Sequence, residues 1–183
     1  EFRLWNPGHE VEAKRNLRGL LPQAALDELA AALTPEVEGV MERPRIRHRP
    51  TSFTVEARGR NGASMTRTLR VDDAGNPYVY NGYFRLGDRD QGKGVGLKMF
   101  AAQAMRSKAI GIKYFKTTAA QGGGFNGYYT WARMGYDGDI PARIVTNTPF
   151  KNAKRISDLM GTPAGREFWK KLFEAIGIQK EEL

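Results

Sequence analysis

The sequence predicts an α+β fold in which a mixed, mainly antiparallel sheet is flanked by helices, with extra helices at both termini. Three observations support this class. Hydrophobic and polar residues alternate between residues 52 and 71, which is the period of half-buried strands. A glycine-rich turn then joins an aromatic-rich strand to a helical pattern, and helical spacing dominates both ends of the chain. We expect a helical N-terminal extension (residues 1–50), a core (51–145) and a C-terminal helical extension packed on that core (146–183).

The first predicted element is helical. Pro22 suits the first turn of a second helix in this stretch, and Thr34-Pro35 would end it. Leucine and alanine recur near helical spacing across this stretch, at Leu17, Leu20, Leu21, Leu26, Leu29, Ala30 and Leu33.

Two antiparallel strands are predicted next. The first has Phe53, Val55 and Ala57 on one side, and the second has Met65, Leu69 and Val71. Turns at residues 60–62 and 72–77 separate the strands, because Asn-Gly and Asp-rich segments tolerate tight turns. A further strand from Tyr78 to Leu86 is apolar on both sides in places, so we expect it in the middle of the sheet.

A helix and a strand follow the glycine-rich turn. The predicted apolar stripe of the helix consists of Leu97, Phe100, Ala101, Ala104 and Met105. Gly111 would end this helix, and residues 114–119 read as a strand. A strand, helix and strand in this order predict a right-handed crossover between two parallel neighbours.

Beyond this unit the sequence predicts a flexible loop at residues 121–124 and a short helix. Asn126 would cap the start of that helix, and Gly135 its end after Met134. Two more helices are expected at residues 152–160 and 163–176.

Composition limits the possible functions. The net charge is +9 and the pI about 9.9, which favours anionic partners such as a nucleotide cofactor or a nucleic acid. There is no cysteine and there are two histidines, so we expect no disulfide and no metal site. The sequence has no apolar run long enough to span a membrane and no visible signal peptide, and we therefore expect a cytoplasmic protein. Its oligomeric state is not predictable.

A basic run lies before the first predicted strand. It contains Arg43, Arg45, Arg47, His48 and Arg49 around two prolines. We expect a solvated linker that is also suited to phosphate contacts.

The glycine-rich turn contains the most informative residues. Glycines at positions 92, 94 and 96 allow backbone N–H groups to converge at a helix start, which is a site for a diphosphate, and Lys93 adds a charge. The Walker pattern fails because Gly94 stands where it requires a hydroxyl, and the dinucleotide pattern fails on glycine spacing. The remaining pattern, [QR]-x-x-G-x-[GA], is met by Gln91-Gly92-Lys93-Gly94-Val95-Gly96.

That pattern, between a strand and a helix, resembles the pyrophosphate loop of the GCN5-related N-acetyltransferase (GNAT) superfamily. The resemblance covers roughly Ser52 to Ile140 and includes the ending Met134-Gly135-Tyr136. It implies acetyl-coenzyme A as co-substrate and transfer of its acetyl group to an amine. It also implies that the backbone of Phe84, Arg85 and Leu86 pairs with the pantetheine arm, that the N–H groups of Gln91, Gly92, Lys93, Gly94, Val95 and Gly96 hold the pyrophosphate, and that Asn126 flanks the thioester.

The catalytic acid in this family is commonly a tyrosine four residues before the glycine. Trp131 holds that position here, so Tyr129, or alternatively Tyr128, is the predicted acid. The strand from Tyr78 to Leu86 has no carboxylate, which leaves Glu56 or Asp88 as candidates for the base.

The acceptor stays open, and the net charge favours an anionic one such as tRNA or an acidic protein. An alternative function also stays open. It is a non-catalytic basic module of the same fold, part of a larger phage- or toxin-type polypeptide, that binds nucleic acid or protein.

Overall fold

The computed structural model describes residues 25–34, 39–42, 44–49, 51–118, 121–122 and 125–181, except for the side chains of residues 25–27, 121–122, 125–128 and 173–181. The predicted helical stretch before Ala25 lies outside these residues. The described chain forms two compact units, one of residues up to Lys116 and one of residues from Thr117 onward. The three-part division expected from the sequence stays a prediction.

Strands and helices are numbered in chain order. The strands are β1 (Arg45–Arg49), β2 (Ser52–Arg58), β3 (Ser64–Val71), β4 (Pro77–Arg85), β5 (Tyr114–Thr117), β6 (Gln121–Gly122) and β7 (Phe125–Asn126). The helices are α1 (Ala25–Leu33), α2 (Val95–Ala109), α3 (Gly127–Arg133), α4 (Ala142–Val145), α5 (Ile156–Met160) and α6 (Pro163–Glu181).

The first unit is built on a five-stranded sheet with the order β1-β2-β3-β4-β5. Neighbours from β1 to β4 are antiparallel. At the other edge, the Lys113 N–H donates to the Pro77 carbonyl over 2.9 Å, and the rings of Tyr114 and Tyr78 stack with centroids 5.1 Å apart. The starts of β4 and β5 therefore lie side by side and the two strands run parallel. This mixed, mainly antiparallel sheet with flanking helices confirms the predicted fold class.

One face of the sheet, here called the inner face, is covered by helices. Phe53, Val55 and Ala57 of β2 are buried as predicted. One cluster joins β2, β3 and β4 to α1, and its members are Leu29, Ala30, Leu33, Phe53, Val55, Leu69, Val71, Val79 and Ile112. A second cluster reaches α2 and consists of Val40, Met41, Ala57, Ala63, Met65, Val95 and Met99. The opposite, outer face carries the polar residues of the same strands.

Two predictions for this unit are wrong. The residues expected to form a linker include β1, a strand whose five residues are all exposed. Because no residue of β1 is buried, it has no inward-facing apolar pattern to recognise. The apolar stripe of α2 is also misplaced, since the buried residues of this helix are Val95, Met99, Gln103 and Ser107.

The second unit combines a small hairpin, β6–β7, with four helices in the described residues. The hairpin occupies part of the predicted flexible loop, because backbone hydrogen bonds alone can pair two such short strands. Helix α3 packs against α5 and α6. At its end Gly135 has φ +89°, and the Tyr136 N–H donates to the Trp131 carbonyl over 3.1 Å. This is the glycine C-cap that the sequence predicts.

Candidate functional site

The strand that leads into the glycine-rich turn contains a β-bulge. Thr66 of β3 pairs with Tyr83, but its neighbour Arg67 pairs with Asn81, so Gly82 is an extra residue in β4. A bulge bends a strand and re-aims the residues beyond it, and bulges are frequent beside functional sites. Here it turns Phe84 to the inner face, where that ring packs against the second hydrophobic cluster.

The turn begins with a close backbone contact. A Cβ atom at Gly87 would lie 2.4 Å from the Asn61 carbonyl oxygen, so this position requires glycine. The Asp90 N–H donates to the Gly87 carbonyl over 2.8 Å. The buried Asp90 carboxylate accepts from Nη2 of Arg60 over 3.0 Å, and this hydrogen bond and the arginine charge lower the pKa of Asp90. Contacts with Asn61 and Arg60 thus hold the turn in place.

Gln91, the first residue of the predicted loop pattern, fixes the shape of the turn. Its Nε2 donates to the Leu86 carbonyl over 2.9 Å and to Oδ1 of Asp88 over 3.3 Å. The side chain therefore closes a ring between the end of β4 and the start of the loop. This is a positioning role.

The loop ends at a helix start that no side chain caps. Gly92 and Gly94 have φ +72° and +76°, a backbone conformation that favours glycine. Gly94 is the N-cap residue of α2 and makes no side-chain cap hydrogen bond, while its carbonyl accepts from the Lys98 N–H over 3.1 Å. The N–H groups at the first turn of a helix have no acceptor within the helix, and they point outward along its axis.

The space in front of this helix start suits an anion. A Cβ built at Gly92 or Gly94 meets no atom within 4 Å, and residues 91–94 are exposed. The helix dipole places partial positive charge there, and Lys93 adds a full charge. The residues present therefore fit a diphosphate group. Val95 and Gly96 are the first two residues of α2, so their N–H groups belong to the uncapped first turn, and their contact with a pyrophosphate stays a prediction.

The other residues predicted to bind the co-substrate lie at the end of β4. Arg85 is exposed and pairs with Ser64, and Leu86 packs against the second hydrophobic cluster beside Phe84. Because β5 starts beside the start of β4 and has four residues against nine, β4 extends past the end of β5. The structure thus brings the end of β4 and the loop together, while the pairing with a pantetheine arm stays a prediction.

The predicted catalytic tyrosines belong to the second unit. Tyr129 is half-buried on α3, with the Arg133 guanidinium 5.8 Å from its ring centroid. The side chains of Tyr128 and Asn126 lie outside the described residues. Trp131 is buried and packs edge-on against Tyr136 with centroids 5.2 Å apart, which is a structural role.

The two candidate bases both have partners. Glu56 lies on the outer face and accepts from Nη2 of Arg47 over 2.9 Å. Asp88 is exposed in the turn and accepts from Gln91.

Sequence reasoning missed the residues that support the turn. Arg60 and Asn61 are separated from Asp90 by about thirty positions, and no local pattern links them. The paired features that could suggest the contact are an arginine in a tight turn and an acidic residue inside a glycine-rich one. Among the described residues there is no group of three or more His, Cys, Asp or Glu that could hold a metal ion. In that part of the chain there is also no helix long and apolar enough to cross a membrane.

Comparisons with known proteins give similarity at the level of structure. No protein-family model matches the sequence, and no curated protein matches it. An aminoglycoside acetyltransferase from an uncultured soil metagenomic sample is 16% identical with a TM-score of 0.33, over 40% of this chain and 50% of that one. Glucosamine-6-phosphate N-acetyltransferase from Arabidopsis thaliana is 10% identical with a TM-score of 0.35, over 50% and 63%.

A third similar structure is ribosomal-protein-alanine N-acetyltransferase from Brucella melitensis biovar Abortus 2308, at 12% identity and a TM-score of 0.31, over 55% of this chain and 78% of that one. The chain thus matches about half the length of the first of these acetyltransferases. Because the TM-scores are low, the functional proposal rests on the residues of the chain itself.

Proposed function

We propose that the protein is an N-acetyltransferase that binds acetyl-coenzyme A at the turn between β4 and α2 and moves the acetyl group to an amine. The observation that carries this proposal is the uncapped start of α2, reached through two exposed glycines with positive φ. Both features leave backbone N–H groups directed at open space, which is the arrangement that binds phosphate oxygens.

The charges of the turn are compatible with a diphosphate. Asp90 would repel an anion, but its carboxylate is buried and paired with Arg60. Lys93 and Arg89 are exposed in the same turn and carry positive charge, against one exposed carboxylate, Asp88, which accepts from Gln91. Gly96, the second residue of α2, adds no side chain to the first turn, and the side chain of Val95 is buried. The ligand expected from the residues alone is therefore a diphosphate, and the resemblance to GNAT enzymes specifies coenzyme A.

The proposed reaction is a direct transfer. The acceptor nitrogen attacks the acetyl carbonyl carbon, a C–N bond forms and the C–S bond breaks. The nitrogen loses a proton to a base, and the leaving thiolate takes a proton from the phenol of Tyr129. Tyr128 is the second candidate for this acid. The net charge of +9 favours an anionic acceptor such as tRNA or an acidic protein, and the lack of cysteine is compatible with a cytoplasmic location.

Acetyl-coenzyme A binding can be measured by thermal shift. Ligand at 100 times its Kd is expected to stabilise the protein by about 2.7 kcal/mol and to raise its Tm by several degrees. Gly94→Asp places a carboxylate at the helix start and is expected to abolish the shift. The matched control is Gly111→Asp, at the other end of α2, where φ is +86° and a Cβ also meets no atom within 4 Å.

Both substitutions carry the same backbone strain, so a loss of response in Gly94→Asp alone identifies the site. No shift of the unsubstituted protein at millimolar ligand, or an equal shift in Gly94→Asp, would overturn the proposal.

The acid can be tested separately from binding. Tyr129→Phe removes the phenolic proton and keeps the ring, and transfer to a panel of primary amines is expected to fall by about 10²–10⁴-fold with the Kd for acetyl-coenzyme A unchanged. Release of the thiol measures the rate. If Tyr128→Phe causes this loss and Tyr129→Phe does not, the acid is Tyr128. Full activity in both variants would exclude the two tyrosines.

A further inference from the structure

A polar cleft lies on the outer face of the sheet in the first unit. Its volume is about 190 Å³. The residues that line it are three arginines, four hydroxyl residues and one carboxylate: Arg47, Arg49, Arg70, Thr51, Ser52, Thr54, Thr68 and Glu56. The cleft therefore holds three positive charges and one negative charge, with hydroxyl groups between them.

The register of the strands arranges part of this lining into a row across three strands. Arg47 of β1 is paired with Thr54 of β2, which is paired with Thr68 of β3. The hydroxyl oxygens of Thr54 and Thr68 are 3.1 Å apart. This row places one guanidinium group and two hydroxyls on the same face; Thr54 is half-buried, and Thr68 is buried behind it.

A second row lies two residues further along the strands and contains two guanidinium groups and one hydroxyl. Arg49 of β1 is paired with Ser52 of β2, and the register of β2 with β3 places Arg70 next in that row. Residues two positions apart on a strand are separated by about 6.8 Å. Both rows thus carry guanidinium groups at a fixed spacing, and the guanidinium of the first row is paired with Glu56.

We propose that this face binds single-stranded nucleic acid through its phosphate groups. A repeated cationic row fits a polymer with regularly spaced anions better than it fits one isolated anion. Guanidinium groups bind phosphate oxygens with paired hydrogen bonds, and hydroxyls can donate to the same oxygens. Beyond the first row lies Tyr80 of β4, half-buried, with the Arg70 guanidinium 5.7 Å from its ring centroid. Basic groups next to aromatic rings on a sheet are a common way to hold single strands.

Protection of an edge strand is a simpler use for charged residues on β1, since such charges hinder pairing with another chain. That purpose requires charges on β1 alone. Arg70 and the hydroxyls of Thr54 and Thr68 lie on β2 and β3, which are not edge strands, so they do not protect the edge of the sheet. Glu56 forms an ion pair with Arg47, whose side chain is 64% exposed, and so holds this guanidinium over the cleft.

This site differs from the glycine-rich turn. The turn follows Arg85, which is paired with Ser64 at the beginning of β3. Arg49 and Ser52 of the cleft lie at the opposite end of the sheet, next to the end of β3. Binding at the cleft is therefore independent of the proposed acetyltransferase function, and Gly94→Asp is expected to bind nucleic acid as the unsubstituted protein does.

The test is fluorescence anisotropy with a labelled single-stranded oligonucleotide of about 12 nucleotides. Three phosphate contacts predict that the logarithm of the affinity falls with the logarithm of salt concentration with a slope of about −2. Each of Arg47→Gln, Arg49→Gln and Arg70→Gln is expected to reduce that slope by about 0.7 and to weaken binding roughly fivefold at about 0.1 M salt. Arg49→Lys keeps the charge but not the paired hydrogen bonds, so it is expected to leave the slope unchanged and to weaken binding less than Arg49→Gln does.

The matched control is Lys108→Gln, which removes one exposed charge from α2 on the other side of the sheet. It is expected to leave the slope unchanged. Three outcomes would overturn the proposal: no binding at low salt, an equal loss in Lys108→Gln, or equally tight binding of a labelled polyglutamate. An equal loss in Lys108→Gln would indicate a general effect of net charge. Equally tight binding of polyglutamate would indicate a surface for acidic proteins.

Discussion

At the scale of single residues, the glycine-rich turn depends on contacts made from outside it. Gly87 lies directly against Asn61, and Asp90 is buried against Arg60. Because of this ion pair, the Asp90 carboxylate faces Arg60. The turn is therefore packed on one side and open on the other, where Gly92 and Gly94 border solvent.

The ion pair of Asp90 predicts a specific pH dependence of stability. Arg60 lowers the folded-state pKa of Asp90 below the value of about 3.9 in unfolded chains. The stabilisation is therefore fully present above about pH 4 and is lost as the pH falls through the folded-state pKa. Asp90→Asn is expected to lower the Tm at pH 7, and the gap to the unsubstituted protein is expected to close as the pH falls below about 4.

Asp88→Asn is the control for this experiment, because Asp88 is exposed in the same turn and makes no ion pair with Arg60 in the described residues. Its Tm is expected to differ little from that of the unsubstituted protein at any pH. A gap for Asp90→Asn that stays constant down to pH 2 would contradict the assigned role of its charge.

At the scale of elements, helix α2 shows why an apolar pattern can mislead. Leu97 and Met105 belong to the predicted stripe but are 55% and 71% exposed. The face that meets the sheet instead contains Gln103, whose Nε2 donates to Oδ1 of Asn81 on β4 over 3.0 Å. A buried amide pair satisfies its own hydrogen bonds, so a polar residue can occupy a buried helix position.

Two methionines of α2 provide a matched test of this orientation. Met99 is completely buried and Met105 is mostly exposed. Met99→Ala is expected to lower the free energy of unfolding by about 2–5 kcal/mol, because it removes buried apolar atoms and leaves a cavity. Met105→Ala is expected to change it by less than about 0.5 kcal/mol. Urea unfolding measures both, and equal losses would show that α2 is rotated about its axis.

At the scale of the whole molecule, the proposed binding sites and the proposed catalytic acid belong to different units. The proposed diphosphate site and the cationic outer face both lie in the unit that ends at Lys116. The proposed acid, Tyr129, lies in the other unit. Substitutions in one unit can therefore test binding of the co-substrate, and substitutions in the other can test catalysis. The net charge of +9 adds a field that attracts anions to the molecule as a whole.

That field predicts salt-dependent binding of the co-substrate. The Kd for acetyl-coenzyme A is expected to rise as sodium chloride increases from about 50 mM to 500 mM, because salt screens the attraction between the phosphates and the basic surface. Calorimetric titration at several salt concentrations measures this. Pantetheine, which carries no phosphate, is the control and is expected to show no such dependence. An unchanged Kd for acetyl-coenzyme A would place the phosphates away from the basic surface.

The sequence by itself determined the elements whose patterns are local. Alternation in β2 and β3, the turns at residues 60–62 and 72–77, and the glycine C-cap of α3 were all predictable, because each depends on neighbouring residues. The position of the turn before α2 was also predictable, since the glycine spacing and the following helical pattern are read directly from the chain.

Tertiary structure decided what local patterns do not encode. It made a strand of the exposed basic run at Arg45–Arg49, through backbone pairing with β2. It also buried Asp90 against Arg60, and it gathered cationic groups from three strands into one cleft on the outer face. Each of these features joins residues distant in the chain, and their free energy comes from contacts that exist only once the sheet has formed.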